Sequence, residues 1–210
     1  MKQNVNIPLE IKSMKGAFFL PIGLFLVIII PVLLAENFQP YQLQFFEFLF
    51  IPAACWWPIF LFYEYYEEGN RDLLFTYPVP SIYHGLQRVS VFFVLYLILL
   101  LILIIVMFIK LKEASFIALL IPYATEAVFF AGLGFSLTTL TKNIILPFIF
   151  IGFYVSGEYF AKSQLPWYHA MYFNTTVPTL NDVLIKSLSN LVIGIILFYS
   201  GQYFLNRKQT

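Results

Sequence analysis

The feature that most constrains this chain is residues 89–109, a run of 21 without a single charge, closed by Arg88 on one side and Lys110 on the other. At 1.5 Å per residue, about 20 apolar residues reach across the hydrocarbon of a bilayer. A helix on a water-soluble domain needs a polar stripe, and this run has none. Similar runs recur along the chain. Residues 16–35 are uncharged and interrupted only by Pro21 and Pro31, which spanning helices tolerate when neighbours re-satisfy the freed backbone groups. Residues 48–63 hold Trp56 and Trp57, with Glu47 expected near one membrane surface. Residues 114–141 carry one acid, Glu126, and residues 187–206 are uncharged up to Arg207 and Lys208. A fifth run in chain order, residues 144–157, is short for a crossing unless it extends toward Ala161.

Composition agrees with this pattern. Charged residues make up 11% of the chain and hydrophobic ones 60%, against about 25% charged in an ordinary soluble domain. Such a chain cannot cover a globule with polar groups, so the expected class is an all-α integral membrane protein with six transmembrane helices. The six spans form one domain over residues 1–210. Residues 1–15 read as an interfacial helix whose Lys2, Lys12 and Lys15 sit among headgroups, and no cleaved signal segment is expected. Residues 64–88 read as a solvent-side loop, and residues 158–186 as a semi-polar, aromatic external connection.

Six crossings place both termini on one side, and the basic residues decide which. With the termini inside, the inner segments hold Lys2, Lys12, Lys15, Arg71, Arg88, Lys142, Arg207 and Lys208, and the outer ones Lys110, Lys112, Lys162 and Lys186. The excess of inner cations favours cytoplasmic termini and a cytoplasmic 64–88 loop.

Several chemistries lack their residues. The chain has no G-x-x-x-x-G-K-[ST] phosphate loop and no G-x-S-x-G elbow, and its only histidines, His84 and His169, are not in an H-E-x-x-H frame. The chain is therefore not expected to be an enzyme, and no catalytic residue, metal ligand or cofactor is assigned to it. Cys55, the single cysteine, excludes an intrachain disulfide. A net charge of +1 without a basic cluster gives no reason to expect nucleic acid as a partner.

The 64–88 loop carries the most information. Glu64, Glu67, Glu68, Arg71 and Asp72 fall at helical spacings, with Glu67 and Arg71 in the favourable i, i+4 order. They run into Leu73, Leu74, Phe75 and Tyr77 before Pro78 and Pro80. Apolar side chains on a water-side loop need a surface to bury them, either the membrane interface or a docked protein.

The acids before Gly69, followed by Asp72, Leu73, Leu74, Tyr77, Pro78 and Val79, resemble the loop signature of ABC exporter permeases of the second type. Residues 131–151 are similar to that family's small-residue fourth span, its Ser/Thr-rich exit and its apolar fifth span. The resemblance implies a permease that pairs with a second copy or a sister permease and docks a separate ABC ATPase subunit, which binds the ATP and magnesium. It implies that the loop forms a coupling helix seated in a groove of the ATPase, with Glu67, Glu68, Gly69, Arg71, Asp72, Leu73, Leu74, Phe75 and Pro78 as the ATPase-coupling residues. It also implies a bacterial cell membrane as the location.

Within the bilayer Glu126 is the residue to weigh, since an intramembrane carboxyl is expensive and is usually paired or lines a cavity. It reads either as a polar group in the translocation path or dimer seam, or as a hydrogen-bonded structural carboxyl. Gly132 and Gly134 offer a small-residue face for close helix approach, at that seam or in plain packing.

The expected function is the membrane-spanning subunit of an ATP-driven exporter moving an amphipathic or hydrophobic cargo, a peptide or lipid-like molecule. The alternative is a non-transport membrane protein, an immunity or assembly factor that binds a partner in the bilayer. An ion-coupled transporter ranks third, because Glu126 is the one credible intramembrane coupling group that hydropathy reveals.

Overall fold

The computed structural model describes residues 6–36, 39, 42–67, 80, 82–111, 115–161, 164–174 and 178–206. All regular structure among them is helical. Helix α1 (Ile7–Met14) starts at Asn6, whose side chain accepts from the Leu9 N–H, with Pro8 in the first turn where its missing N–H costs nothing. A 3-10 turn, Lys15–Phe19, leads into α2 (Leu20–Leu34). Lys15 takes a φ of 52°, which breaks the helical path between α1 and the 3-10 turn.

The second hydrophobic segment is assembled from short pieces: α3 (Gln42–Leu49), a 3-10 turn (Ile51–Cys55) and α4 (Trp56–Phe60), followed by α5 (Tyr63–Tyr66). Pro52 and Pro58 lie in these joints, where a missing backbone donor interrupts the regular ladder. The two indoles tie this segment to the first one. Trp56 Nε1 donates to the Ala17 carbonyl at 2.8 Å and Trp57 Nε1 to the Phe18 carbonyl at 3.0 Å.

Long helices make up the rest. A π-helical turn, Tyr83–Gln87, opens α6 (Arg88–Lys110); α7 (Phe116–Thr141), α8 (Ile145–Ala161) and α9 (Leu180–Asn206) complete the chain. Lys142, at φ 54°, ends α7 in the left-handed conformation, and Asn143 Oδ1 caps α8 by accepting from the Ile145 and Leu146 N–H groups at 2.7 and 2.9 Å.

Among the described residues, five helical stretches are long and apolar enough to cross a membrane: Ile7–Leu34, Gln42–Phe60, Tyr83–Lys110, Phe116–Thr141 and Leu180–Asn206. The fifth expected span, residues 144–157, is a shorter apolar helix, Ile145–Ala161. It does extend to Ala161, so the expected external connection of residues 158–186 shrinks to residues 162–179, because α9 already begins at Leu180. The expected cytoplasmic loop shrinks likewise at its far end, since helix resumes by Tyr83.

The core is aromatic and centres on α7. Fully buried Phe46, Phe50 and Tyr96 stack or meet edge to face with neighbours from the second segment and α6, with Phe46 and Phe50 rings 5.7 Å apart and Phe50 and Tyr96 5.1 Å apart. Helices α7 and α9 run against each other over the most extensive contact in the fold. Small residues make that approach possible: a Cβ on Gly132 would lie 2.7 Å from the Gly194 carbonyl oxygen, and one on Gly201 would lie 2.6 Å from the Phe135 ring. Ser136 and Ser200 hydroxyls bond across the same seam at 2.8 Å.

Candidate functional site

Buried polar groups collect at two places in the apolar bundle. The first lies where the polar loop leaves and re-enters it. Arg88, expected as a flanking cation on a solvent loop, is instead 6% exposed. It donates to Glu10 of α1, to the Tyr65 hydroxyl and, at 3.2 Å, to the Leu61 carbonyl, and its guanidinium lies 5.0 Å from the Tyr65 ring centre. The Tyr65 hydroxyl is also 3.3 Å from His84 Nδ1. Residues 65 and 84, on either side of the loop, are therefore held together by side chains. Glu67 is the one predicted coupling residue that falls within the described stretch, just after α5. Glu68, Gly69, Arg71, Asp72, Leu73, Leu74, Phe75 and Pro78 lie outside the described residues.

The second place lies under residues 164–174, which fold over one end of the bundle as a cap fastened to three helices. From α8, Tyr154 donates to the Tyr168 carbonyl at 2.7 Å and accepts the Ala170 N–H at 3.0 Å, while Glu158 takes the Trp167 indole N–H at 2.8 Å and lies 2.5 Å from His169. From α9, Asn190 accepts the Tyr168 hydroxyl at 2.6 Å and donates to the Ala170 carbonyl at 3.0 Å, and Lys186 donates to the Met171 carbonyl with its ammonium 4.3 Å from the Tyr172 ring centre. From α3, Gln44 donates to the Phe173 carbonyl at 2.7 Å.

Glu47, expected beside a membrane surface, completes the fastening from inside the protein. Its carboxyl is fully buried and accepts the backbone N–H groups of both Tyr172 and Phe173. Phe173 adopts a φ of 48°, which is costly for a residue with a side chain, and this allows two successive N–H groups to converge on one carboxyl. Glu126, about 15 Å along α7 from its first residue at 1.5 Å per residue, presents its own fully buried carboxyl to Glu47, and Lys186 faces both. Neither oxygen of Glu126 makes a well-formed hydrogen bond with a described residue; the Glu47 carboxyl and the Tyr172 N–H lie beside it.

Hydropathy missed Glu47 as a member of this site because it sits at the edge of an apolar run, as a headgroup-level acid would. Its partner is 79 positions away in sequence. Gly132 and Gly134, expected near Glu126 on a path or seam, do their close packing inside the chain: Gly132 meets α9, and Gly134 lies against Cys55, whose Cβ would be 2.7 Å from an added methyl. An open apolar groove of about 250 Å³ lies between α2 and α3, bordered by Val27, Pro31, Phe45, Leu49 and Met107. Among the described residues no group of three or more His, Cys, Asp or Glu side chains could hold a metal ion.

The cap depends on neutral phenols. Burial pushes the Tyr172 hydroxyl up to about 12, against an ordinary value of 10, where it donates to the Val183 carbonyl at 2.8 Å and bonds Ser187 at 2.9 Å. Because the folded protein holds this proton more tightly than the unfolded chain, Tyr172 stabilises the cap fully below pH about 10. That contribution falls as pH rises from about 10 to about 12. Hydrogen exchange of the cap amides should accelerate across this window in the native protein and lose that component in Tyr172→Phe.

No family model matches the chain, and no curated protein or solved structure matches it either.

Proposed function

We propose that the chain is the membrane-spanning permease subunit of an ATP-driven ABC exporter, powered by a separate ATP-binding subunit and working with a second copy or sister permease. The observation that carries this reading is the loop between the second and third hydrophobic segments, with acids, Gly69 and then Leu73, Leu74 and Phe75 before Pro78. A water-side loop with that apolar core calls for a protein groove to bury it. The clamp at its base supports the same reading. A loop that transmits force needs ends that do not slide, and Tyr65, His84, Arg88 and Glu10 fasten both ends to each other and to α1.

Mechanically, ATP-driven closure of the partner subunits moves the docked loop, and the clamp passes that movement to α1 and α6. The chain itself does no covalent chemistry. The Glu67–Arg71 pair contributes only a few tenths of a kcal/mol, so apolar docking dominates the contact. An aromatic, weakly charged set of spans suits a hydrophobic or amphipathic cargo, a peptide or lipid-like molecule, carried outward across a bacterial cell membrane with both termini cytoplasmic.

The test is a mild-detergent pull-down of the tagged chain from its native cells, with an ATPase assay and mass spectrometry on the eluate. The expected result is co-purification of a soluble nucleotide-binding protein that is lost in Leu73→Asp/Leu74→Asp, while the variant still inserts in the membrane. Recovery of the folded chain without ATPase activity overturns the exporter reading and favours a membrane protein that binds a different partner in the bilayer.

A further inference from the structure

We propose that Glu47 and Glu126 form an intramembrane binding site for one small monovalent cation, H⁺ or Na⁺, lodged between the two carboxyls beneath the cap. The argument begins with charge. Two fully buried carboxyls and the half-buried Lys186 ammonium face one another, from α3, α7 and α9. Fully ionised, the three groups sum to −1. An uncompensated charge in that setting is far more expensive than one in water, so one further positive charge completes the set.

Hydrogen bonding says where that charge belongs. Glu47 has its donors in the Tyr172 and Phe173 backbone N–H groups, and Lys186 is directed to the Met171 carbonyl. Glu126 has no well-formed hydrogen bond to a described residue at either buried oxygen; its polar neighbours are the Glu47 carboxyl and the Tyr172 N–H, which already serves Glu47. Among the described residues, the remaining titratable groups facing the pair are Tyr123 on α7, Tyr154 on α8, and Tyr168 and Tyr172 on the cap. These are phenols and supply no positive charge. Glu158, which faces Lys186 from α8, is engaged by His169 and Trp167. Two carboxyls that face each other do not both stay ionised without a shared cation. A divalent metal fits poorly, because no set of three or more His, Cys, Asp or Glu side chains is gathered among the described residues.

The site is wired to the cap. The same Glu47 carboxyl that shares the cation holds the two N–H groups of residues 172 and 173, so loss of the cation weakens the fastening of the cap to α3 and leaves like charges face to face. Cation occupancy and cap docking are thus one linked equilibrium. This site is independent of the exporter reading: it concerns the opposite polar cluster, and the outcome of an ATPase pull-down does not bear on it.

The experiment uses the full chain purified in detergent. Infrared difference spectra are recorded as pH is cycled, with isotopically labelled glutamate to identify glutamic acid carbonyl bands. Thermal unfolding is compared at equal ionic strength in Na⁺ and in choline, a cation too large for the site. A glutamic acid band that appears and disappears reversibly with pH and is lost in Glu126→Gln establishes a proton site. A midpoint that rises with Na⁺ over choline in the native protein, and no longer does so in Glu126→Gln, establishes a sodium site. In either case, exchange of the Tyr172 and Phe173 amides should slow as the cation binds. The absence of both a pH-responsive glutamic acid band and a Na⁺ effect overturns the proposal. Should Glu126→Gln not fold, Glu126→Asp takes its place: it keeps a carboxyl but moves the band and weakens the Na⁺ effect if Glu126 is the cation ligand.

Discussion

Arg88→Leu is expected to remove about 3–5 kcal/mol of stability, because it strips the partner from a buried carboxylate while leaving Glu10 in place. Arg88 is the hub of its cluster: one guanidinium serves Glu10, Tyr65 and the Leu61 carbonyl, and the pair's side chains are only 7% and 11% exposed. Removing it leaves Glu10 charged, desolvated and unpaired, with three acceptors losing a donor at once. The paired neutral variant Arg88→Leu/Glu10→Leu should recover most of that loss, since replacing both members of a buried ion pair by apolar groups is often close to neutral. Detergent-solubilised protein titrated with denaturant reads both values. A single variant as stable as the native protein, or a double variant no better than the single, would reject the buried-pair account. If the clamp also anchors the coupling loop, the stable double variant should retain ATPase binding yet transport poorly.

Gly132→Leu is the second large effect. A Cβ at Gly132 lies 2.7 Å from the Gly194 carbonyl oxygen and 3.1 Å from the Leu197 Cβ, so the obstruction includes backbone that cannot rotate away. Overpacking of this sort costs about 1–3 kcal/mol and forces α7 and α9 apart. Gly152→Leu is the internal control, because a Cβ there meets nothing within 4 Å. Both substitutions add the same side chain and remove the same glycine flexibility, so a difference in thermal midpoint isolates the helix contact. Equal midpoints would mean that the α7–α9 seam is not tightly packed. A variant of Gly132 that folded normally but no longer associated with a second copy of the chain would instead return this face to a subunit interface.

The existence of the long helices could be read from the chain alone. Residues 89–109 contain no charge and residues 16–35 none, and a bilayer-length apolar run has few other ways to satisfy both its backbone and its side chains. Stops at Lys142 and Asn143 were also foreseeable, since a short basic turn between apolar runs is a local signal. The polar loop with its apolar core was equally plain, because composition changes sharply at Glu64 and back again near Arg88.

What hydropathy misjudged were the charged residues at the edges of those runs. Glu47, Arg88, Glu158 and Lys186 each read as a place where a helix meets water, whereas Glu47, Arg88 and Glu158 are buried and all four are paired or hydrogen-bonded. The physical reason is common to all four. Whether a charge can leave water depends on the donors and counter-charges that meet it, and those come from other elements, some far away in sequence: Glu10 for Arg88, the Tyr172 and Phe173 amides for Glu47, and, nearer along the chain, the cap's Trp167 and His169 for Glu158 and its Met171 carbonyl for Lys186. The sequence determined by itself that the chain is a set of apolar helices with one informative polar loop, because that is written in runs of neighbouring residues. Only the tertiary structure decided that Glu126 faces Glu47, that Gly132 packs inside the chain, and that residues 164–174 form a cap latched by a buried carboxyl, because each of these is a meeting of residues that no local pattern brings together.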